Sequence, residues 1–241
     1  MKITNLLNRL RHPRQAKIPF AARHAEYSVI ASADDEPGRP TEYLLQIGLQ
    51  AANRARNISM AGVVARIQQP PFYPDIWPGE HYKLLAGLVE ELRPQTVIEI
   101  GTYTGFSALA MLASLPPNAR LCTFDILPWQ GFPDTALKAE DFADGRLKQM
   151  LGDVADPEVM KQHADLFLAA DLIFVDGPKD GVFEQKFLDL LGTLKLTKQP
   201  LLIFDDIRVW NMLAIWRQIQ KPKLDLTSFG HWSGTGLVHW I

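Results

Sequence analysis

The chain has 241 residues, 47% of them apolar, with a formal net charge of −2. That length suits one large domain burying roughly 70–75% of its unfolded surface, and the mixed charge gives no bulk attraction to nucleic acid. A single cysteine, Cys122, excludes an internal disulfide framework and a cysteine-rich zinc site, and no apolar run reaches membrane-spanning length.

The first residues carry Lys2, Arg9, Arg11, Arg14, Lys17 and Arg23 with no acid before Glu26. Ile3, Leu6, Leu7 and Leu10 fall at helical spacing, so a basic amphipathic arm is one reading. A solvated helix packing one apolar side on its own domain is favoured, because Pro13 and Pro19 interrupt the stretch. It lacks the long apolar core of a secretory signal, so a cytoplasmic location is expected. Ala31 to Pro40 is acidic and rich in breakers and reads as a loop. Thr41 is placed to cap a helix that runs, in two pieces, towards Ile67. Gln69-Pro-Pro-Phe-Tyr-Pro74 stops it. Phe72, Tyr73 and Trp77 are expected to anchor on the core, with a substrate lid as the alternative.

Pro78-Gly-Glu-His81 leads into a helix with Leu84, Leu85, Leu88 and Leu92 on one face. His81 reads as a surface or helix-start residue. Thr96-Val-Ile-Glu-Ile100 is short, apolar and rich in β-branched residues, as a strand buried on both faces of a parallel sheet requires. The run breaks at Gly101 and Gly105, and from Phe106 to Leu115 it takes helical spacing. Strand, glycine turn and helix form the geometry that binds nucleotide-like cofactors. The glycines are expected to let the backbone approach such a ligand. The spacing here is G-x-x-x-G, which lacks the middle glycine of the dinucleotide fingerprint, so NAD is disfavoured. Phe106-Ser107 replaces the Lys-Ser or Lys-Thr that a phosphate loop needs.

Val97-Ile-Glu-Ile-Gly-Thr-Tyr-Thr-Gly-Phe-Ser-Ala108 resembles the first motif of class I S-adenosylmethionine-dependent methyltransferases, above all the catechol and caffeoyl-coenzyme A O-methyltransferases and their bacterial relatives. The resemblance runs from about Gly79 to the C-terminus. It divides the chain into a helical extension or lid, residues 1–78, and a cofactor-binding domain, residues 79–241. It implies an α/β, Rossmann-like fold: a mostly parallel seven-stranded sheet with helices on both faces, an antiparallel C-terminal hairpin, and the extension over the carboxyl edge. It also implies that S-adenosylmethionine is held by Glu99, Gly101, Thr102, Tyr103, Gly105, Ser107, Asp125, Ile126, Asp153, Val154 and Asp176.

The residues support parts of that set independently. Arg120 to Asp125 is a second strand, and a carboxylate at its end suits a ribose diol. An ordinary strand-end turn residue is the plainer account. Leu147 to Leu151 is a third strand. Asp153 beyond it suits an adenine amine, or a cap for the helix starting near Asp156.

Ala170 to Asp176 and Pro200 to Asp206 are two further buried runs. They bring Asp176, Asp205 and Asp206 to one sheet edge. Consecutive residues at a strand end point opposite ways, so Asp205 and Asp206 meet at one ion only if the strand breaks there. Three oxygen ligands suit Mg²⁺, Mn²⁺ or Ca²⁺. The resembled enzymes hold a metal with Asp after strand four and Asp-Asn after strand five; Asp206 stands where they have Asn. Alternatively Asp206 caps the next helix and Asp205 faces solvent. In catechol O-methyltransferase a lysine three residues after the first metal ligand is the general base, which implies that role for Lys179 beside Asp176. A lysine partly desolvated near a metal would have its pKa lowered; a solvated loop lysine is the other reading. Gly177-Pro178 replaces the bulkier residues of the catechol enzymes and argues against a catechol substrate.

Ile207 to Ile219 reads as a helix. Lys223 to Phe229 and Thr235 to Ile241 read as strands, with His231 and His239 structural. The expected activity is methyl transfer to a small-molecule hydroxyl with divalent-metal assistance. Metal-free transfer to N, O or C and a non-catalytic binding role are the alternatives. Exposed apolar residues in the N-terminal helices would be compatible with a homodimer.

Overall fold

A computed structural model describes residues 38–241. The basic arm and most of the acidic loop lie outside the described residues. The helices are α1 (Glu42–Ala55), α2 (Ala61–Val64), α3 (Tyr82–Leu92), α4 (Phe106–Ser114), α5 (Pro157–Gln162), α6 (Ala164–Ala169), α7 (Val182–Thr193) and α8 (Met212–Gln218). The strands are β1 (Thr96–Ile100), β2 (Arg120–Asp125), β3 (Leu147–Leu151), β4 (Leu172–Val175), β5 (Leu201–Asp205), β6 (Lys223–Asp225) and β7 (Thr235–His239).

The strands form one seven-stranded sheet in the order β3-β2-β1-β4-β5-β7-β6. β1 pairs in parallel with β2 and β4, Ile98 lying beside Cys122 and Ile173. β7 runs antiparallel to β5 and β6. Side chains alternate across each strand, so the apolar runs serve two cores. Val97, Leu121, Leu172 and Ile203 pack under Leu44, Leu85, Leu88 and Ala110. Ile98, Phe124, Ile173 and Phe204 pack on Phe167, Phe187, Leu191 and Trp216. Continuous burial along β1, β4 and β5 explains why these strands read as unbroken apolar stretches.

Thr41 caps α1 through its hydroxyl, which accepts from the Leu44 N–H at 3.3 Å. The helix packs mainly on α3 and touches β6 and β7, rather than lying over the carboxyl edge. Trp77 is half-buried against the core and its Nε1–H donates to Phe229 O at 2.7 Å, whereas Phe72 and Tyr73 stay exposed. Two expected elements are shorter than their patterns. The run from Ile207 becomes helical only at Met212 because the chain first turns through left-handed Asp206 and Trp210. β6 ends at Asp225, whose carboxylate accepts from the Thr227 N–H and starts a turn.

The parallel strands β1, β2 and β4 end on the same edge as β5, and the sheet order reverses between β1 and β4. A crevice at that reversal is where open α/β sheets bind ligands. A backbone splice closes its far side. The Gly79 N–H donates to Gly230 O at 3.0 Å and the Trp232 N–H to Gly79 O at 2.9 Å. This joins the segment before α3 to the loop between β6 and β7.

Candidate active site

A cavity of about 800 Å³ opens at this edge. Of the residues expected to hold a cofactor, Gly101, Tyr103, Asp125, Ile126, Asp153, Val154 and Asp176 line it. Glu99, Thr102, Gly105 and Ser107 do not; they are buried behind the turn. The two glycines have an internal purpose. A Cβ on Gly101 would lie 2.2 Å from Asp176 O, and one on Gly105 would lie 2.3 Å from Leu137 Cγ. Both have positive φ. Packing of the turn against its own neighbours thus also requires glycine at both positions.

Asp125 fixes this turn. Its Oδ2 accepts from the Thr102 and Tyr103 N–H groups at 3.0 and 3.1 Å, and its Oδ1 from the Leu127 N–H at 3.1 Å. Asp153 Oδ1 accepts from the Ala155 N–H, whereas Asp156 caps α5. Glu99, fully buried beneath the turn, has no hydrogen bond of good geometry at either oxygen. Burial raises its pKa to about 8, and the nearby Ser107 and Thr123 hydroxyls pull it back only in part.

Charge dominates the other end of the cavity. Asp176, Asp205 and Asp206 each offer an oxygen within 4.8 Å of the others. The strand does break: β5 stops at Asp205, and Asp206 takes φ 60°. That left-handed turn lets successive carboxylates share one site. Neither alternative holds, since Asp205 is buried and Asp206 lies too far from α8 to cap it, that helix starting after Asn211.

Lys179 sits between the carboxylates. Its Nζ donates to Asp176 Oδ1 and lies 3.0 Å from Asp206 Oδ2. It is not a solvated loop lysine, its side chain being 15% exposed. Burial pulls its pKa down, but the charges of Asp176, Asp205 and Asp206 outweigh that and raise it above the ordinary lysine value. Burial and the Asp205 charge push Asp176 up, against the pull of Lys179 and His81.

Two histidines face Asp205. His81 ends the segment before α3 and is 4% exposed, which corrects its reading as a surface residue. Its Nδ1 lies 3.4 Å from Asp205 Oδ1, yet neither ring nitrogen makes a hydrogen bond. His231 Nδ1 lies 3.0 Å from Asp205 Oδ2 and 2.8 Å from Ser233 Oγ, and its Nε2 is 3.6 Å from Glu80 Oε2. Burial lowers the pKa of His81, but Asp205 more than compensates and brings it to about 9. Burial pushes Asp205 up; the charges and contacts of the two histidines reverse this and hold it well below the usual carboxylate range. Nothing in the spacing of His81 and His231 along the chain pairs them. Their meeting depends on the splice at Gly79.

Tyr73, Phe132, Phe183 and Trp232 add an aromatic rim. The whole is a nucleoside-sized crevice, backbone-lined at the glycine turn, opening into a compact acid–base cluster.

The family model described as O-methyltransferase matches residues 75–223, more than half the chain. Catechol O-methyltransferase B of Danio rerio is 29% identical over 136 residues, covering 52% of this chain and 47% of that protein. Catechol O-methyltransferase of Mus musculus is 30% identical over 132 residues, covering 53% and 48%. The chain thus spans about half the length of these curated relatives. A methyltransferase structure from Geobacter sulfurreducens superposes with a TM-score of 0.50 at 17% identity, covering 66% of this chain and 78% of that one; this likeness concerns the fold.

Proposed function

The chain belongs to the O-methyltransferase family, and from that premise we propose that it transfers a methyl group from S-adenosylmethionine to the hydroxyl of a small molecule. One observation carries the reading: the turn held by Asp125 and the cluster around Asp205 line the same cavity. A cofactor lying along the turn would have its sulfonium end delivered towards the acidic end. The cofactor supplies the methyl group.

This chain's residues then have separable tasks. Asp125 would offer its remaining lone pairs to a ribose diol, and Asp153 would accept from the adenine amine. The aromatic rim excludes water and suits an acceptor with a flat, apolar body. The edge also fits a divalent cation such as Mg²⁺. Asp176, Asp205 and Asp206 supply oxygens within 4.8 Å, and Asp206 Oδ1 is buried without a hydrogen bond, its nearest imidazole being His231 Nδ1 at 3.6 Å. A cation held there would lower the pKa of the acceptor hydroxyl. Lys179 is within reach as proton acceptor, but only after Asp176 and Asp206 release it, since they hold it charged. Until then it keeps those carboxylates together.

Calorimetric titration with S-adenosylhomocysteine, in Mg²⁺ and again in EDTA, tests the cofactor. A panel of phenols and aliphatic alcohols, read by mass for an added methyl, tests the reaction. Binding together with a methylated hydroxyl is expected. Binding of NAD in place of S-adenosylhomocysteine would end the reading.

A further inference from the structure

We propose that this edge holds a first-row transition-metal ion between His81, Asp205 and His231. The inference rests on the methyltransferase reading only for the role of the ion, not for its place.

Lys179 spans Asp176 and Asp206, so two of the three carboxylates are matched by a lysine charge. An ion taken by the carboxylate trio has to displace that lysine. Asp205 faces the other way, towards the imidazoles. One ring nitrogen from each histidine and one oxygen of Asp205 lie within 4.8 Å of one another. The observed edges are 3.4 Å from His81 Nδ1 to Asp205 Oδ1 and 3.0 Å from His231 Nδ1 to Asp205 Oδ2. Ligands at about 2.1 Å from one ion lie roughly 3.0–3.5 Å apart, so these donors need little movement.

His81 supplies the independent observation. Its ring is buried, faces the cavity, and leaves both nitrogens without a hydrogen bond. Asp205 lies 3.4 Å from its Nδ1 without making a hydrogen bond, a contact that an ion between the two would complete. The surroundings suit ligation. Glu80 stands 3.6 Å from His231 Nε2, the nitrogen left for outer-sphere support when Nδ1 ligates, whereas Ser233 Oγ, 2.8 Å from Nδ1, has to give way to the ion. Two imidazoles and a carboxylate form a donor set for zinc, iron, cobalt or nickel, whereas magnesium prefers oxygen throughout.

The test is a Co²⁺ titration of the untagged, metal-stripped full chain, followed by visible absorption and by proton NMR of the imidazole N–H signals. One equivalent is expected to give ligand-field bands and paramagnetically shifted imidazole signals, unchanged by millimolar Mg²⁺. His81→Ala and His231→Ala should each weaken binding by about tenfold or more, while Asp176→Asn keeps it. Thermal melts and S-adenosylhomocysteine titration check that each variant folds; the wild-type imidazole signals decide the case if the buried His81 variant does not. The proposal is overturned if Co²⁺ gives no shifted imidazole signals, or if Asp176→Asn removes the ion and the histidine variants keep it. Failure here with S-adenosylhomocysteine still bound would leave the methyltransferase reading standing. Co²⁺ bound without any S-adenosylhomocysteine binding would do the opposite.

Discussion

Glu99 and Asp205 are both removed from water at the same sheet, yet their acidities move in opposite directions. Glu99 sits in β1 under the glycine turn, with no cation near enough to hold it ionised, and its pKa rises to about 8. Asp205 ends β5 between two histidines and is pushed below the ordinary carboxylate range. Equal burial therefore does not set the charge; the neighbours do. On the side of the glycine turn an unpaired carboxyl keeps its proton, and the turn donates backbone N–H groups to Asp125. At the end of β5 the carboxylates are surrounded by Lys179, His81 and His231. The first half is a rigid cradle, and the second is a balanced set of charges that a ligand can rearrange.

Changing either carboxyl breaks this contrast. For Glu99 the folded chain holds its proton more tightly than the unfolded chain between its ordinary value of 4.5 and about 8. Stability should fall as pH rises through that window and level off above it, by about 5 kcal/mol at the limit. Urea midpoints at pH 5 and pH 9 should differ far more in the wild type than in Glu99→Gln; equal slopes would refute the buried proton. Asp205→Ala leaves two buried imidazoles without their counter-charge. It should cost about 4 kcal/mol of stability, and His81, followed by NMR, should titrate well below its value of about 9.

Two further variants sharpen the comparison on the cradle side. Gly101→Ala forces a Cβ against Asp176 O and should cost about 3 kcal/mol in a thermal melt. Because Asp176 belongs to the other half, this change should also disturb the Lys179 bridge. Asp125→Asn keeps the shape but loses the charge that accepts from three backbone N–H groups. S-adenosylhomocysteine affinity should drop about tenfold, close to 1.4 kcal/mol, with little change in the histidine titrations. A loss of both together would mean that the halves are not separable.

The strands and their polar ends were legible because each apolar run stops at a glycine or an aspartate. Thr96–Ile100, Leu147–Leu151 and the paired Asp205-Asp206 could be read directly, and the break needed to bring the two aspartates together is the left-handed turn at Asp206. The state of Lys179 was not legible, because its acidity depends on which carboxylates reach it. His81 and His231 were missed for a related reason. Each stands in an irregular segment with no periodicity, and only the hydrogen bonds at Gly79 set them on either side of Asp205. The Pro-Gly-Glu-His run before α3 was the available signal, since a polar cluster just ahead of the first strand of such a sheet lies beside its carboxyl edge.

The splice at Gly79 also has a consequence for how the protein is made. Residues up to Asp176 suffice to outline the cradle, but the histidine pair needs a segment from before the first strand and a loop from just before the last. Contacts so distant along the chain form only after most of the intervening sequence is ordered. During synthesis Asp205 emerges before His231, so a growing chain carries the glycine turn for some time before the histidine pair can close on Asp205. A chain clipped after β6 would lack both His231 and β7, the strand that joins β6 to β5.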